Sequence, residues 1–311
     1  MTTTVPSPLR RGHPSTRPIA TPVSRRRRRG SIPLTAVMVL MLGYALLPLV
    51  WLLISSTKSS SSLFDSFGLW FGKDFNLWTN IHEVLTYDDG IYIRWFGNTV
   101  LYSVVGAGGA AVIATAGGYA LAKYEFRGRR LLSASVLGAI TIPGTALAVP
   151  TYLLFSKIGI VDTPWAVLIP ALASPFGLYL MQIYAAEAVP DSMLEAARID
   201  GSGELRTFFT ISLRLLAPGF VTVLLFALVA TWNNYFLPLI VLSNPKWFPL
   251  TVGLNQWNSL ATGNAGSGAT TTGFYPLVIT GSLLAIIPLI IAFLFLQRYW
   301  QSGLAAGSVK Q

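Results

Sequence analysis

The amino-acid sequence predicts an all-α membrane protein with six transmembrane helices, both termini cytoplasmic, and a short helical element on the cytoplasmic side between spans 4 and 5. Three observations predict it. Hydrophobic residues make up 53% of the 311 positions and charged residues only 11%, whereas soluble domains carry about 25% charge. Six apolar segments occur at 32–54, 95–122, 131–156, 163–184, 218–241 and 274–297. At ~1.5 Å per residue, each can cross a ~30 Å hydrocarbon core. With the amino terminus inside, 17 of the 22 basic residues fall in inner segments and five (Lys58, Lys73, Arg94, Lys157 and Lys246) in outer ones. That asymmetry sets the orientation.

Residues 1–30 are rich in Pro, Thr, Ser and Arg without apolar periodicity, which predicts a disordered basic cytoplasmic tail before a membrane domain over 31–311. Eight basic residues lie in the first 29 positions, five of them in the run Arg25 to Arg29. A basic tail preceding a span marks the cytoplasmic side, so the net charge of +10 does not argue for nucleic acid. Ile32 to Ile54 is longer than the ~7–15 residues of a signal core, and no small-x-small cleavage site follows, so it reads as the first span. The second span holds Gly106, Gly108, Gly109, Ala110, Ala111, Gly117 and Gly118, which let helix backbones approach closely, as a sliding interface or as ordinary packing. Pro143, Pro150, Pro170 and Pro175 interrupt the third and fourth, which neighbouring helices or cavities can accommodate.

All acidic and basic residues, and His13 and His82, fall outside the six segments. Ion-coupled transporters and pumps usually hold an ionisable group within a span. His82-Glu83 is followed by Val-Leu-Thr rather than a second His, and Gly72-Lys73 by Asp74 without an upstream Gly. Neither a metalloprotease nor a phosphate-loop signature is therefore present. The chain has no cysteine, which excludes disulfides and thiolate metal sites.

Residues 185–217 are polar between apolar neighbours. Pro190 with Asp191 or Ser192 suits a helix start, with Glu195 as the carboxylate of a capping box. Met193, Leu194, Ala197 and Ile199 make a short helix, Gly201 and Gly203 a turn, and Leu205, Phe208, Phe209 and Ile211 the apolar face of a second helix. Such a hairpin can dock onto a cytoplasmic partner or simply return the chain.

These residues resemble a known motif. Glu195-Ala196-Ala197, Gly201, and, after nine intervening residues, Ile211-x-Leu213 are similar to the EAA loop of membrane subunits of ATP-binding-cassette importers. Glu-Ala-Ala-Arg-Ile-Asp-Gly resembles the carbohydrate branch, specifically the second permease of maltose-type systems. The resemblance runs from about residue 32 to the end, including Phe126-Arg127-Gly128-Arg129-Arg130, Ile142-Pro143, Val149-Pro150, Trp232-Asn233, Gln297-Arg298-Tyr299 and the tail Gly303 to Lys310. Arg214 departs from it, standing where the family has proline, while Pro218 matches the pattern's second proline.

The resemblance implies a permease without catalytic residues or metal, working in the prokaryotic plasma (inner) membrane by alternating access. It implies a heterodimer with a second permease, a cytoplasmic ATPase dimer that binds ATP and Mg, and an extracellular sugar-binding protein. Glu195, Ala196, Ala197, Asp200, Gly201 and Ile211 would be its ATPase-coupling residues, within a coupling loop over 186–217. The outer loop 242–273, with Asn255, Gln256, Trp257, Asn258 and a flexible stretch from Gly263 to Gly273, would probe the binding protein. An aromatic face beside planar amides also suits sugar hydroxyls. Trp232, Asn233, Asn234 and Tyr235, in the outer half of the fifth span, either line the sugar path or bond a neighbouring helix. A secondary transporter or channel for a small polar solute is the alternative from another class.

Overall fold

The computed structural model describes residues 32–263 and 273–307. The tail 1–30, the stretch 264–272 and residues 308–310 of the carboxy-terminal motif lie outside the described residues. Helices follow one another along the chain: α1 (Ile32–Ser55), α2 (Ser60–Asp65), α3 (Leu77–Lys123), α4 (Arg129–Thr141), α5 (Gly144–Ile158), α6 (Trp165–Ala171), α7 (Pro175–Ala188), α8 (Asp191–Ile199) and α9 (Glu204–Thr207). A π-helical turn, Phe208–Ser212, leads into α10 (Leu213–Trp232), then α11 (Phe236–Val241), a 3₁₀ turn, Pro245–Trp247, α12 (Leu250–Ala261) and α13 (Phe274–Gly307). Among the described residues there is no strand.

Among the described residues, five helical segments are long and apolar enough to cross a bilayer, or six if a bent pair counts as one span. The bent pair is α4 and α5, which meet at 106°. The third apolar segment, interrupted at Pro143 as its sequence indicates, is bent rather than a straight rod. Pro143 removes an amide and Ile142 before it is held extended, so α4 cannot continue through this point. The fifth segment also differs. Its helix stops at Trp232 and resumes at Phe236, so the expected run to 241 is broken.

The chain divides into residues 1–47 and 48–311. In the first unit, the described part of α1 is almost wholly exposed, with large apolar side chains from Ile32 to Leu47 turned outward. A lipid-facing surface accounts for that pattern, since lipid tails solvate such side chains as well as a protein core does. In the second unit, α3 is the central element and packs on α7, α10, α13 and α6. Tyr87 to Gly90 break its regular geometry, with Asp88, Asp89 and Gly90 in left-handed conformations. Glycine permits a close approach to neighbouring helix backbone in this unit, at Gly118. A Cβ there would lie 2.6 Å from the Met181 Cβ and 2.7 Å from the Gln182 backbone nitrogen of α7. Gly106, Gly109, Gly117 and Gly118 of the second span thus serve close packing, whereas Gly108 faces open space.

Two apolar cores form. One gathers Tyr92, Trp95 and Tyr102 of α3 with Trp257 of α12 and the residues around α11. The other gathers Ala111, Ala114 and Tyr119 of α3 with Met181 and Ala185 of α7, Leu194 of α8 and Leu216 and Val223 of α10.

Candidate functional site

The polar hairpin forms at the Lys123 end of α3. Helix α8 buries Leu194 and Ala197 and leaves Glu195, Ala196, Ile199 and Asp200 exposed. Ala197, expected among the coupling residues, packs on the inner face of α8. The expected capping box is also absent. Pro190 is the N-cap without a side-chain bond, and Asp191 instead pairs with Lys123, Nζ to Oδ1 2.8 Å. The turn ends α8 with two linked bonds, Ser202 N to Ala197 O at 2.9 Å and Gly201 N to Arg198 O at 3.0 Å. This is a Schellman closure, and it needs the left-handed φ of +75° that Gly201 adopts.

Beyond the turn, Glu204 joins the two short helices to α3. Arg198 Nε donates to its Oε1 at 2.7 Å, and the Tyr124 hydroxyl donates to its Oε2 at 2.8 Å. Burial first, and then this hydrogen bond, raise the Tyr124 pKa above the ordinary tyrosine value, so the hydroxyl stays a donor. The π-helical turn carries Ile211, half-buried, and continues into α10 without a break. Arg214, in place of the family proline, is an exposed residue in the first turn of α10. Among the charged residues that the hairpin presents outward stand three large apolar side chains: Ile199 is 87% exposed, Leu205 76% and Phe209 62%. Such side chains, held on a polar element tied to a long helix, suit a protein partner's cleft.

A second feature lies where three helix breaks converge. The α4–α5 bend, the α6–α7 junction and the α10–α11 break surround a cleft of ≈ 580 Å³. Thr145, Thr151 and Asn234 line it among apolar residues such as Ile142, Pro170 and Phe236. Broken helices around a cavity are the usual membrane arrangement for a solute site. Of the four residues expected on a path, only Asn234 lines this cleft. Trp232 donates to Ala285 O at 3.2 Å, Asn233 donates to Val229 O at 2.9 Å, and Tyr235 packs on the α3–α12 core. Helix–helix bonding, local capping and core packing respectively occupy those three.

The expected binding-protein contact residues sit on α12, not in an irregular loop. Gln256 and Asn258 are exposed and Asn255 is half-buried. Trp257 is 2% exposed, its ring 5.0 Å from Trp95 and 6.0 Å from Tyr92. A ring enclosed in that way cannot offer its face to a sugar, which corrects the sugar-contact reading. Lys123, Tyr124, Glu204, Thr145 and Thr151 were not singled out by sequence reasoning. The pairing of Lys123 with Asp191 spans 68 positions, and no local pattern signals it.

Residues 110–304 match the model of the family described as binding-protein-dependent transport system inner membrane component. The chain belongs to that family. Among its relatives, the arabinooligosaccharides transport system permease protein AraQ of Halalkalibacterium halodurans is 33% identical over 267 residues, 86% of this chain and 91% of that one. The maltodextrin transport system permease protein MdxG of Bacillus subtilis is 31% identical, covering 75% of this chain and 81% of its own. The lactose transport system permease protein LacG of Rhizobium radiobacter is 27% identical over 92% of this chain and 98% of its own. In fold, the chain is similar to a chain from a bacterial ABC transporter involved in the import of the acidic polysaccharide alginate, with TM-score 0.75, 24% identity, and coverage of 86% and 95%. As a binding-protein-dependent transport component, the chain is a multi-pass protein of the inner membrane.

Proposed function

We propose that this chain is one permease half of an ATP-driven sugar importer, with both termini and the α8–α9 hairpin on the cytoplasmic side. A second permease completes the pathway, an extracellular binding protein delivers the sugar, and an ATPase dimer, binding ATP and Mg itself, receives the hairpin. The observation that carries this reading is the hairpin: Ile199, Leu205 and Phe209 stand outward on helices that Lys123 and Tyr124 tie to α3. The sugar names of the relatives support the substrate class. Glu195, Ala196, Asp200 and Gly201 are the proposed contact residues on this face, with Ile211 setting the exit into α10. ATPase closure would then rock the bundle between inward and outward states.

The sugar proposed is uncharged. The cleft offers the Asn234 carboxamide and the Thr145 and Thr151 hydroxyls, and no charged residue lines it. Neutral donors and acceptors match sugar hydroxyls, whereas a carboxylated sugar would require a cation. Gln256 and Asn258 of α12 are the proposed contacts to the binding protein.

The test is to produce the chain with its genomic neighbours in lipid vesicles and measure ATP hydrolysis and uptake of neutral and acidic oligosaccharides. Hydrolysis that needs the binding protein, with uptake of a neutral sugar, is the expected result. Glu195→Ala is expected to lower both while membrane insertion is kept. If hydrolysis neither requires the binding protein nor changes in Glu195→Ala, secondary transport or a pore is the better account.

A further inference from the structure

Lys123 and Tyr124 are adjacent residues at the end of α3, and each holds a different part of the hairpin. The Lys123 side chain is 5% exposed. Its ammonium reaches Asp191 Oδ1 at 2.8 Å and the Ala186 carbonyl at 3.3 Å, and so fixes the start of α8 and the end of α7. Tyr124 reaches Glu204 at 2.8 Å, and Glu204 in turn holds Arg198 at 2.7 Å, so the end of α8 and the start of α9 are fixed together. A nearby hydroxyl pair, Ser212 Oγ to Tyr119 at 3.2 Å, adds the π-helical turn to the same helix.

About 30–40 Å away along α3, by helix rise, a second set of bonds pins the helix as firmly. Trp95 Nε1 donates to Pro245 O at 2.9 Å, Asn98 Nδ2 to Lys246 O at 2.8 Å, and Tyr102 to Trp247 O at 2.8 Å. Thr99 Oγ1 accepts from Leu250 N at 2.8 Å, at the first residue of α12. Between these two sets of bonds, α3 is a continuous helix from Ile91 to Lys123. Coupling between distant sites is carried by packed side chains, hydrogen bonds and rigid helices, and α3 combines all three.

We infer that Lys123 and Tyr124 are positioning residues that make α3 a rod between the α8–α9 hairpin and α12, coupling ATP hydrolysis to events at the opposite face. This inference rests on the importer reading. Neither residue contacts ATP or sugar; both act by holding Asp191 and Glu204. Loss of either link leaves the docking face intact but lets the hairpin move without α3. The signature is hydrolysis that no longer depends on the binding protein, at unchanged assembly.

The experiment uses the complete transporter in vesicles with Lys123→Met, Tyr124→Phe, Lys123→Arg, and the exchange of Lys123→Asp with Asp191→Lys. Tyr124→Phe removes one oxygen and leaves the ring in place. Three quantities are read: the amount of assembled complex, stimulation of hydrolysis by the binding protein, and sugar imported per ATP. Losing one charge-assisted hydrogen bond shifts an equilibrium by about tenfold, so stimulation is expected to fall by about that factor in Lys123→Met and Tyr124→Phe. Lys123→Arg is expected to recover it, and the exchanged pair to recover it only in part, since an Asp at 123 cannot donate to the Ala186 carbonyl. Native stimulation and native sugar per ATP in both Lys123→Met and Tyr124→Phe would overturn the inference. So would a fall confined to the amount of complex, since that marks a structural role. A native transporter without binding-protein-dependent hydrolysis would overturn the importer reading first, and the inference with it.

Discussion

Gly201→Asp is expected to abolish binding of the partner ATPase while leaving the chain folded in the membrane. The substitution carries two separate costs. Within the chain, a side chain at 201 meets nothing within 4 Å, so no clash arises. The remaining internal cost is the left-handed backbone, about 1 kcal/mol for a residue such as Asp that tolerates it. At an interface the change is far larger. A new carboxylate beside Asp200 brings an unpaired charge into a docked surface, which costs about 3–5 kcal/mol, or more than a hundredfold in affinity. Co-purification of the ATPase with the chain reads this directly. Gly201→Ala carries the backbone cost without the charge and is expected to retain most of the binding.

Gly118→Leu is expected to prevent accumulation of the folded chain. At this position α3 and α7 are separated by less than one side chain. The neighbours of an added Cβ are the Met181 Cβ and the backbone at Met181 and Gln182, none of which can rotate aside. Even alanine should cost about 1–3 kcal/mol by overpacking, and leucine would force the helices apart. The control is Gly108→Leu on the same helix, where an added Cβ meets nothing within 4 Å. Resistance to proteolysis in detergent should be lost for Gly118→Leu and kept for Gly108→Leu.

Much of this architecture was legible in the residues, and the parts that were not have physical reasons. Apolar length announced the long helices, and Gly201 announced the turn, because only a left-handed residue closes α8 in that way. Pro143 marked a break but not its angle, since the 106° bend depends on what packs around it. The break at Asn233 to Tyr235 carries no proline or glycine, so apolar character alone ran the helix through it. Trp257 was placed with its amide neighbours because they are adjacent in sequence. On α12, however, Leu250, Gly253, Trp257 and Ala261 recur at helical spacing and are all buried, and that period was the signal to read. The link from Lys123 to Asp191 left no trace at all, since it exists only once α3 and α7 pack together.

The central claim is that the α8–α9 hairpin seats in an ATPase subunit, and the chain's lack of cysteine makes this directly measurable. Ile199→Cys introduces a single thiol on the most exposed large side chain of α8. It is to be placed in the assembled transporter with a short thiol-to-amine cross-linker, and the products resolved with and without ATP. The account predicts a covalent product joining this chain to the ATPase, with a yield that changes when ATP is added. A thiol at 199 that labels freely with a soluble reagent, yet forms no product with the ATPase in any nucleotide state, would contradict it.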